Sequence, residues 1–134
     1  MHVEDSVKII FGGLGACQIL QKRYNLMMAW AVEFLDEEVK AMLDAMPRDI
    51  QASFRRIVEL VQSHGLERVR EPYVKHLEGP LWEMRMKGKS GIARAVYVTA
   101  IGRRVVVVHV FEKKTQKTPR REIETALKRA KEVQ

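Results

Sequence analysis

The residues of this chain best equipped for chemistry are cations. Arg85 and Arg94 lie in two successive strand-like runs, Leu81 to Lys87 and Ile92 to Thr99. Lys113, Lys114 and Lys117 follow a third run, Val105 to Glu112, with Lys87 at the end of the first run and Arg120 beyond the last. Neighbouring strands of a meander bring such side chains together. Tyr97 and Phe111 stand among them, and cations interleaved with aromatic surfaces suit single-stranded RNA. RNA supplies its own nucleophile: the 2′-hydroxyl attacks the adjacent phosphate in line and leaves a cyclic phosphate. A protein then needs only to position the strand, neutralise the phosphorane and move protons. Donors aimed at the developing charge are each worth about 2.7–4 kcal/mol, and proton transfer adds roughly 10²- to 10⁴-fold. Arg85, Arg94, Tyr97 and Lys114 are the candidate catalytic groups. Lys87, Phe111, Lys113, Lys117 and Arg120 are the candidate RNA-binding groups. Tyr97, His109 and a lysine of lowered pKa are the candidates for proton transfer.

Each candidate has a purely structural alternative. Arg85 alternates with Glu83 and Lys87, as a solvated strand face would. Strict alternation puts Arg94 and Tyr97 on opposite faces unless a bulge intervenes, so Tyr97 also reads as a core aromatic. His109, on an apolar strand, reads as a packed and hydrogen-bonded histidine. The lysine cluster is the least ordinary feature, because it is dense and directly follows a buried strand. Other catalytic signatures are missing: there is no nucleophile elbow, no phosphate-binding glycine loop and no paired carboxylates beside a histidine. With one cysteine, Cys17, and four well-separated histidines, no zinc-ligand spacing arises. The reading is therefore of chemistry without metal or cofactor.

Charge sharpens the picture. The 134 residues carry 24 Lys and Arg against 17 Asp and Glu. From Leu81 to Gln134 the count is 14 against 5, a net +9, whereas the first 80 residues have 10 against 12, a net −2. The basic character belongs to the region of the candidate site, and it points to a polyanion or an acidic protein as partner.

The elements that must hold these residues are legible from periodicity. Ala29 to Phe34 reads as a first strand. Val39, Met42, Leu43 and Met46 recur at helical spacing up to Pro47, and Ile50, Phe54, Ile57, Val58 and Val61 do so up to Gly65, which predicts a helical hairpin. The three strand-like runs then form two successive hairpins, with the all-apolar Val105 to Val108 stretch placing the last strand inside the sheet. Thr118 and Pro119 predict an N-cap and first helical residue, followed by a stripe of Ile123, Ala126, Leu127 and Ala130. The expectation is an α+β fold of order β-α-α-β-β-β-α, with an antiparallel sheet and its helices on one face. One such domain covers residues 29–134.

Residues 1–28 read as an N-terminal extension of uncertain order. Their apolar stretch before Cys17 superficially resembles a lipoprotein signal, but Glu4 and Asp5 outnumber Lys8 ahead of it and three glycines interrupt it, against the pattern of an export signal. No apolar run reaches the length that spans a bilayer. The expected setting is the cytoplasm, with no membrane partner.

The phrase Leu81-Trp82-Glu83-Met84-Arg85, then Arg94-Ala95-Val96-Tyr97, then His109 through Pro119, and finally Glu122-Ile123 and Ala126, resembles the phage-derived, HigB-like branch of the RelE/ParE toxin superfamily. The resemblance extends over about Ala29 to Val133 and is most specific from Phe111 to Pro119. It implies a RelE-like fold and a toxin of a type II toxin–antitoxin system that cuts translated messenger RNA on the ribosome. It also implies a helix-turn-helix antitoxin of the HigA type as partner, with operator DNA bound only through that antitoxin. Carried over by motif, Arg85, Arg94, Tyr97, Phe111, Lys113, Lys114 and Lys117 would line the RNA site. Two alternatives stand beside this one: a ParE-like inhibitor of DNA gyrase that does not cut RNA, and an inactive prophage-derived RNA-binding protein.

Overall fold

Asp36 starts the helical hairpin by accepting a hydrogen bond from the Val39 amide at 2.9 Å, the side-chain cap expected of an aspartate in that position. In the computed structural model, which describes residues 29–134, helix α1 then runs Glu37–Asp44 and α2 Arg48–His64. Helix α2 buries Ile50, Phe54, Ile57 and Val61 at the predicted spacing, each stabilising by about 1.5–3 kcal/mol on leaving water. Gly65 takes φ +87° just past the helix, a conformation glycine adopts without strain. The expected extension, residues 1–28, lies outside the described residues.

The strands are β1 (Ala31–Phe34), β2 (Val74–Glu78), β3 (Leu81–Gly88), β4 (Gly91–Ala100) and β5 (Arg104–Glu112), followed by α3 (Arg120–Ala130). They form one sheet in the order β1-β5-β4-β3-β2. The α+β class and the succession of the predicted elements hold, with three corrections. An additional strand, β2, precedes the meander; only Val74 of its five residues is buried, so it carries no apolar run to betray it. Strand β1 pairs in parallel with β5, which makes the sheet mixed. The helices occupy both faces: α1 and α2 cover Met84, Met86, Ala93, Ala95, Tyr97, Val105 and Val107, and α3 covers Leu81, Val96, Val98, Val106 and Val108. A strand apolar on both sides, as β5 is, needs a cover on each.

Asp49 ties the start of α2 to the β3–β4 turn, accepting from both the backbone amide and the hydroxyl of Ser90. Those bonds hold its carboxyl below the ordinary aspartate value of 3.8. A depressed native pKa adds stability that is present above the unfolded value and is lost as pH falls through the folded one. Ser90→Ala is therefore expected to lower the thermal midpoint at neutral pH and to leave it unchanged at pH 2, a difference that calorimetry at the two pH values reads directly.

Candidate functional site

The β3–β4 hairpin sets the geometry. Its register pairs Gly88 with Gly91, Arg85 with Arg94 and Trp82 with Tyr97. Paired residues share a face, and alternation then separates two sets. Leu81, Glu83, Arg85, Arg94 and Val96 face α3; Trp82, Met84, Ala95 and Tyr97 face α1 and α2. The only bulge along β4 and β5 lies in β5, where Val96 pairs with His109 but Tyr97 pairs with Val107. Val108 is the extra residue, and it re-aims His109 and Phe111 toward α3. The bulge does not rescue Tyr97. That residue is 1% exposed, on the face opposite Arg94, and burial pushes its phenol well above the ordinary value. Tyr97→Phe is accordingly expected to leave any activity of the cationic face within about twofold of the parent, measured as growth arrest or RNA cleavage.

On the α3 face the cations gather around a carboxylate that sequence reasoning passed over as part of an alternating strand. Glu83 is 3% exposed and Arg94 4%. Their Oε1 and Nε atoms are 3.3 Å apart, and Arg85 Nε stands 3.9 Å from the same oxygen. Thr118, expected to cap α3, instead donates its hydroxyl to Glu83 Oε2 at 3.1 Å, and Pro119 occupies the cap position. Arg94 Nε has no aligned hydrogen-bond partner. Burial lowers the Arg94 pKa, with Glu83 opposing the shift and Arg85 adding to it. Lys113, anchored by its amide to the Ile92 carbonyl at 2.8 Å, is half-buried beside this group. Burial first, and then the charges of Arg94, Arg85 and Lys75, hold its ammonium below the ordinary lysine value of 10.5, while Glu83 pulls the other way.

Two adjoining cavities open above the cluster and share Arg85, Lys113 and Gln116. One, of about 450 Å³, also takes in Lys75, Glu78, Lys117 and Thr118. The other, of about 410 Å³, takes in Arg94, Lys114 and Thr115. Arg85, Arg94, Lys113, Lys114 and Lys117 thus come together. Lys87 is an exposed residue at the end of β3. Arg120 is exposed and engaged by Glu78 at 2.7 Å and Glu124 at 3.5 Å, a pairing of surface charges worth little to stability. Phe111 is 7% exposed, part of the α3 core and stacked on His109 at 5.5 Å, so its ring is not available to a base. His109 is satisfied on both nitrogens, 3.0 Å from Glu122 Oε1 and 3.1 Å from Arg129 Nη1. Its role is to join β5 to α3. Lys75 was hidden from the sequence because β2 was.

Among the described residues no helix is long and apolar enough to cross a membrane, and no three His, Cys, Asp or Glu side chains are grouped to hold a metal ion.

Comparison with known proteins shows what the chain is similar to. The family described as phage-derived protein Gp49-like matches residues 41–131. The crystal structure of an archaeal RelE–RelB complex from Pyrococcus horikoshii OT3 is similar at 18% identity with a TM-score of 0.46, over 63% of this chain and 94% of that chain. No curated protein matches the sequence.

Proposed function

The chain belongs to the family of phage-derived, Gp49-like proteins, and from that premise we propose that it is the toxin of a type II toxin–antitoxin pair, an endoribonuclease that cuts messenger RNA. The observation that carries this reading is the cluster on the α3 face: Arg85, Arg94 and Lys113 converge on a single buried carboxylate, Glu83. That leaves an excess of positive charge at the floor of a cleft, matched to a phosphate and its developing charge. Roles divide by accessibility. Arg94 is buried and fixed by Glu83, so it supplies a constant field. Arg85, with a quarter of its side chain exposed, donates to the non-bridging oxygens. Lys113, the lysine whose charge is destabilised first by burial and then by its cationic neighbours, takes the 2′-hydroxyl proton as the oxygen attacks; the bond from phosphorus to the 5′-oxygen breaks, and the departing oxygen takes a proton from water. Lys114 and Lys117 hold the flanking phosphates, contacts that position the strand and carry no sequence information.

The ribosome presents the message in this reading. A helix-turn-helix antitoxin of the HigA type silences the toxin and alone binds operator DNA; an acidic segment of it lies over the +9 region from Leu81 to Gln134. The test is controlled expression in bacteria with primer-extension mapping of message ends. Growth arrest with cuts in register with codons, lost in Arg85→Ala and Lys113→Ala, is the expected result. Arrest with intact messages and a DNA-damage response would replace the nuclease with a gyrase inhibitor.

A further inference from the structure

Another cavity lies on the opposite face of the sheet, past the end of α2. It measures about 700 Å³, and Trp30, Trp82, Tyr97 and His76 line it together with Val69 and Val74. That is the size and the apolar, aromatic character of a site for a small planar group. Trp82 is unusual for a large aromatic in being 39% exposed. The His76 ring stands edge-on to it at 5.0 Å, and His76 is itself held by the Gly79 carbonyl at 2.9 Å. Trp30 is fixed from the other side, its indole N–H donating to Glu67 at 2.8 Å. Both indoles are therefore held in place before any ligand arrives, with open space in front of them.

This cavity and the cationic cleft meet at the β2 edge. Lys75 and His76 line both it and the 450 Å³ cavity above Glu83. Strand β2 is the edge of the sheet, and alternation puts Lys75 opposite Glu83 and His76 opposite Trp82, one side chain toward each face. A strand of RNA leaving the cleft past Lys75 meets the aromatic cavity next. We propose that the Trp30–Trp82 cavity is a base-binding subsite, in which a nucleobase flanking the cleaved phosphate leaves the stack and lies against Trp82 as the RNA backbone turns around the β2 edge at Lys75. The inference rests on the RNA reading of the cationic cleft and extends it to a site on the other face. Stacking on an indole tolerates any base, so this subsite adds affinity and fixes the strand's path.

The two tryptophans of the sequence, Trp30 and Trp82, both line the cavity, so indole fluorescence, excited at a wavelength that tyrosine does not absorb, reports on this place alone. The full-length protein is titrated with 2′-O-methyl RNA oligonucleotides of two to eight nucleotides, which bind without being cut. Indole fluorescence is read alongside the anisotropy of a dye on the RNA. The expected result is quenching of the indoles that appears only once the oligonucleotide is long enough to reach past the cleft. Trp82→Ala should weaken binding of the long oligonucleotides about 5- to 150-fold, the range for one stacked base, and leave the shortest unaffected. Trp82→Phe, which keeps a ring, should recover most of the loss and guards against a folding defect. Binding seen by anisotropy with unchanged indole fluorescence and no effect of Trp82→Ala would overturn the subsite and leave the RNA reading standing. No binding of any length, either to free RNA or to ribosomes programmed with the same oligonucleotides, would remove the RNA reading itself. Quenching by the antitoxin but not by RNA would give the cavity to a protein partner.

Discussion

Replacing Glu83 with alanine is expected to destabilise the protein by about 3–5 kcal/mol, the cost of leaving a buried charge without its partner. Glu83 and Arg94 are 3% and 4% exposed and 3.3 Å apart, so water cannot screen what remains. Arg94 Nε already lacks an aligned acceptor; without the carboxylate the guanidinium keeps the Ala93 carbonyl, 3.3 Å from Nη1, but loses its counter-charge, with Arg85 as a like charge close by. Equilibrium unfolding in urea measures this. With slopes of about 1–3 kcal/mol per molar for a domain of this size, the midpoint should fall by more than about 1 M. The double variant Glu83→Met, Arg94→Leu should recover most of the loss, because replacing both ions with apolar groups is often neutral or stabilising. A single Glu83→Ala variant within 1 kcal/mol of the parent would mean that Arg94 finds solvent or another carboxylate, and the rigid cationic floor of the cleft would go with it. If the double variant is stable yet inactive, the ion pair is kept for what it does to a ligand and contributes little to folding.

What the sequence revealed of this arrangement follows from where its signals are local. The helical hairpin was legible because Val39, Leu43, Ile50, Phe54, Ile57 and Val61 repeat at helical spacing and all turn out buried. The β3–β4 hairpin was legible from Gly88 and Gly91, and its two-residue turn at Lys89 and Ser90 brings Arg85 opposite Arg94. Strand β2 was not legible. An edge strand needs only one apolar face, and in Val74-Lys75-His76-Leu77-Glu78 that face is too short to stand out. Nor does any local signal encode the parallel pairing of β1 with β5, which lie some seventy residues apart.

The site was legible in part for the same reasons. Arg85, Arg94 and the lysines after β5 were visible as charges in or beside strands, and the structure brings them together. Glu83 was read only as a reason to doubt Arg85, because alternation says which residues share a face and nothing about whether that face is buried. The β5 bulge was invisible, since Val105 to Val108 is apolar at every position and has no alternation to break. That bulge turns His109 and Phe111 into core residues under α3. Tyr97 shows the limit of a motif: its place in a familiar phrase suggested the site, while simple alternation along β4 puts it with the other core.

Lys113→Arg is expected to reduce RNA cleavage by roughly 10²- to 10⁴-fold, the usual worth of a positioned proton acceptor, while leaving RNA affinity nearly unchanged because the charge is kept. The pH dependence separates this role from a purely electrostatic one. Burial and the charges of Arg94, Arg85 and Lys75 depress the Lys113 pKa, so the neutral amine that can accept a proton becomes available below the pH at which an ordinary lysine loses its charge. The parent's initial rate should therefore rise with pH and level off below 10.5, the ordinary lysine value, when read against an enzyme-free control on programmed ribosomes or free RNA. In Lys113→Arg that limb should disappear, since a guanidinium does not titrate in this range. Arg85→Gln supplies the converse: removing a positive charge that depresses Lys113 should move the limb to higher pH as well as lower the plateau. A limb that falls with rising pH would make Lys113 the acid that protonates the leaving 5′-oxygen. Full activity in Lys113→Arg would confine this residue to holding phosphate.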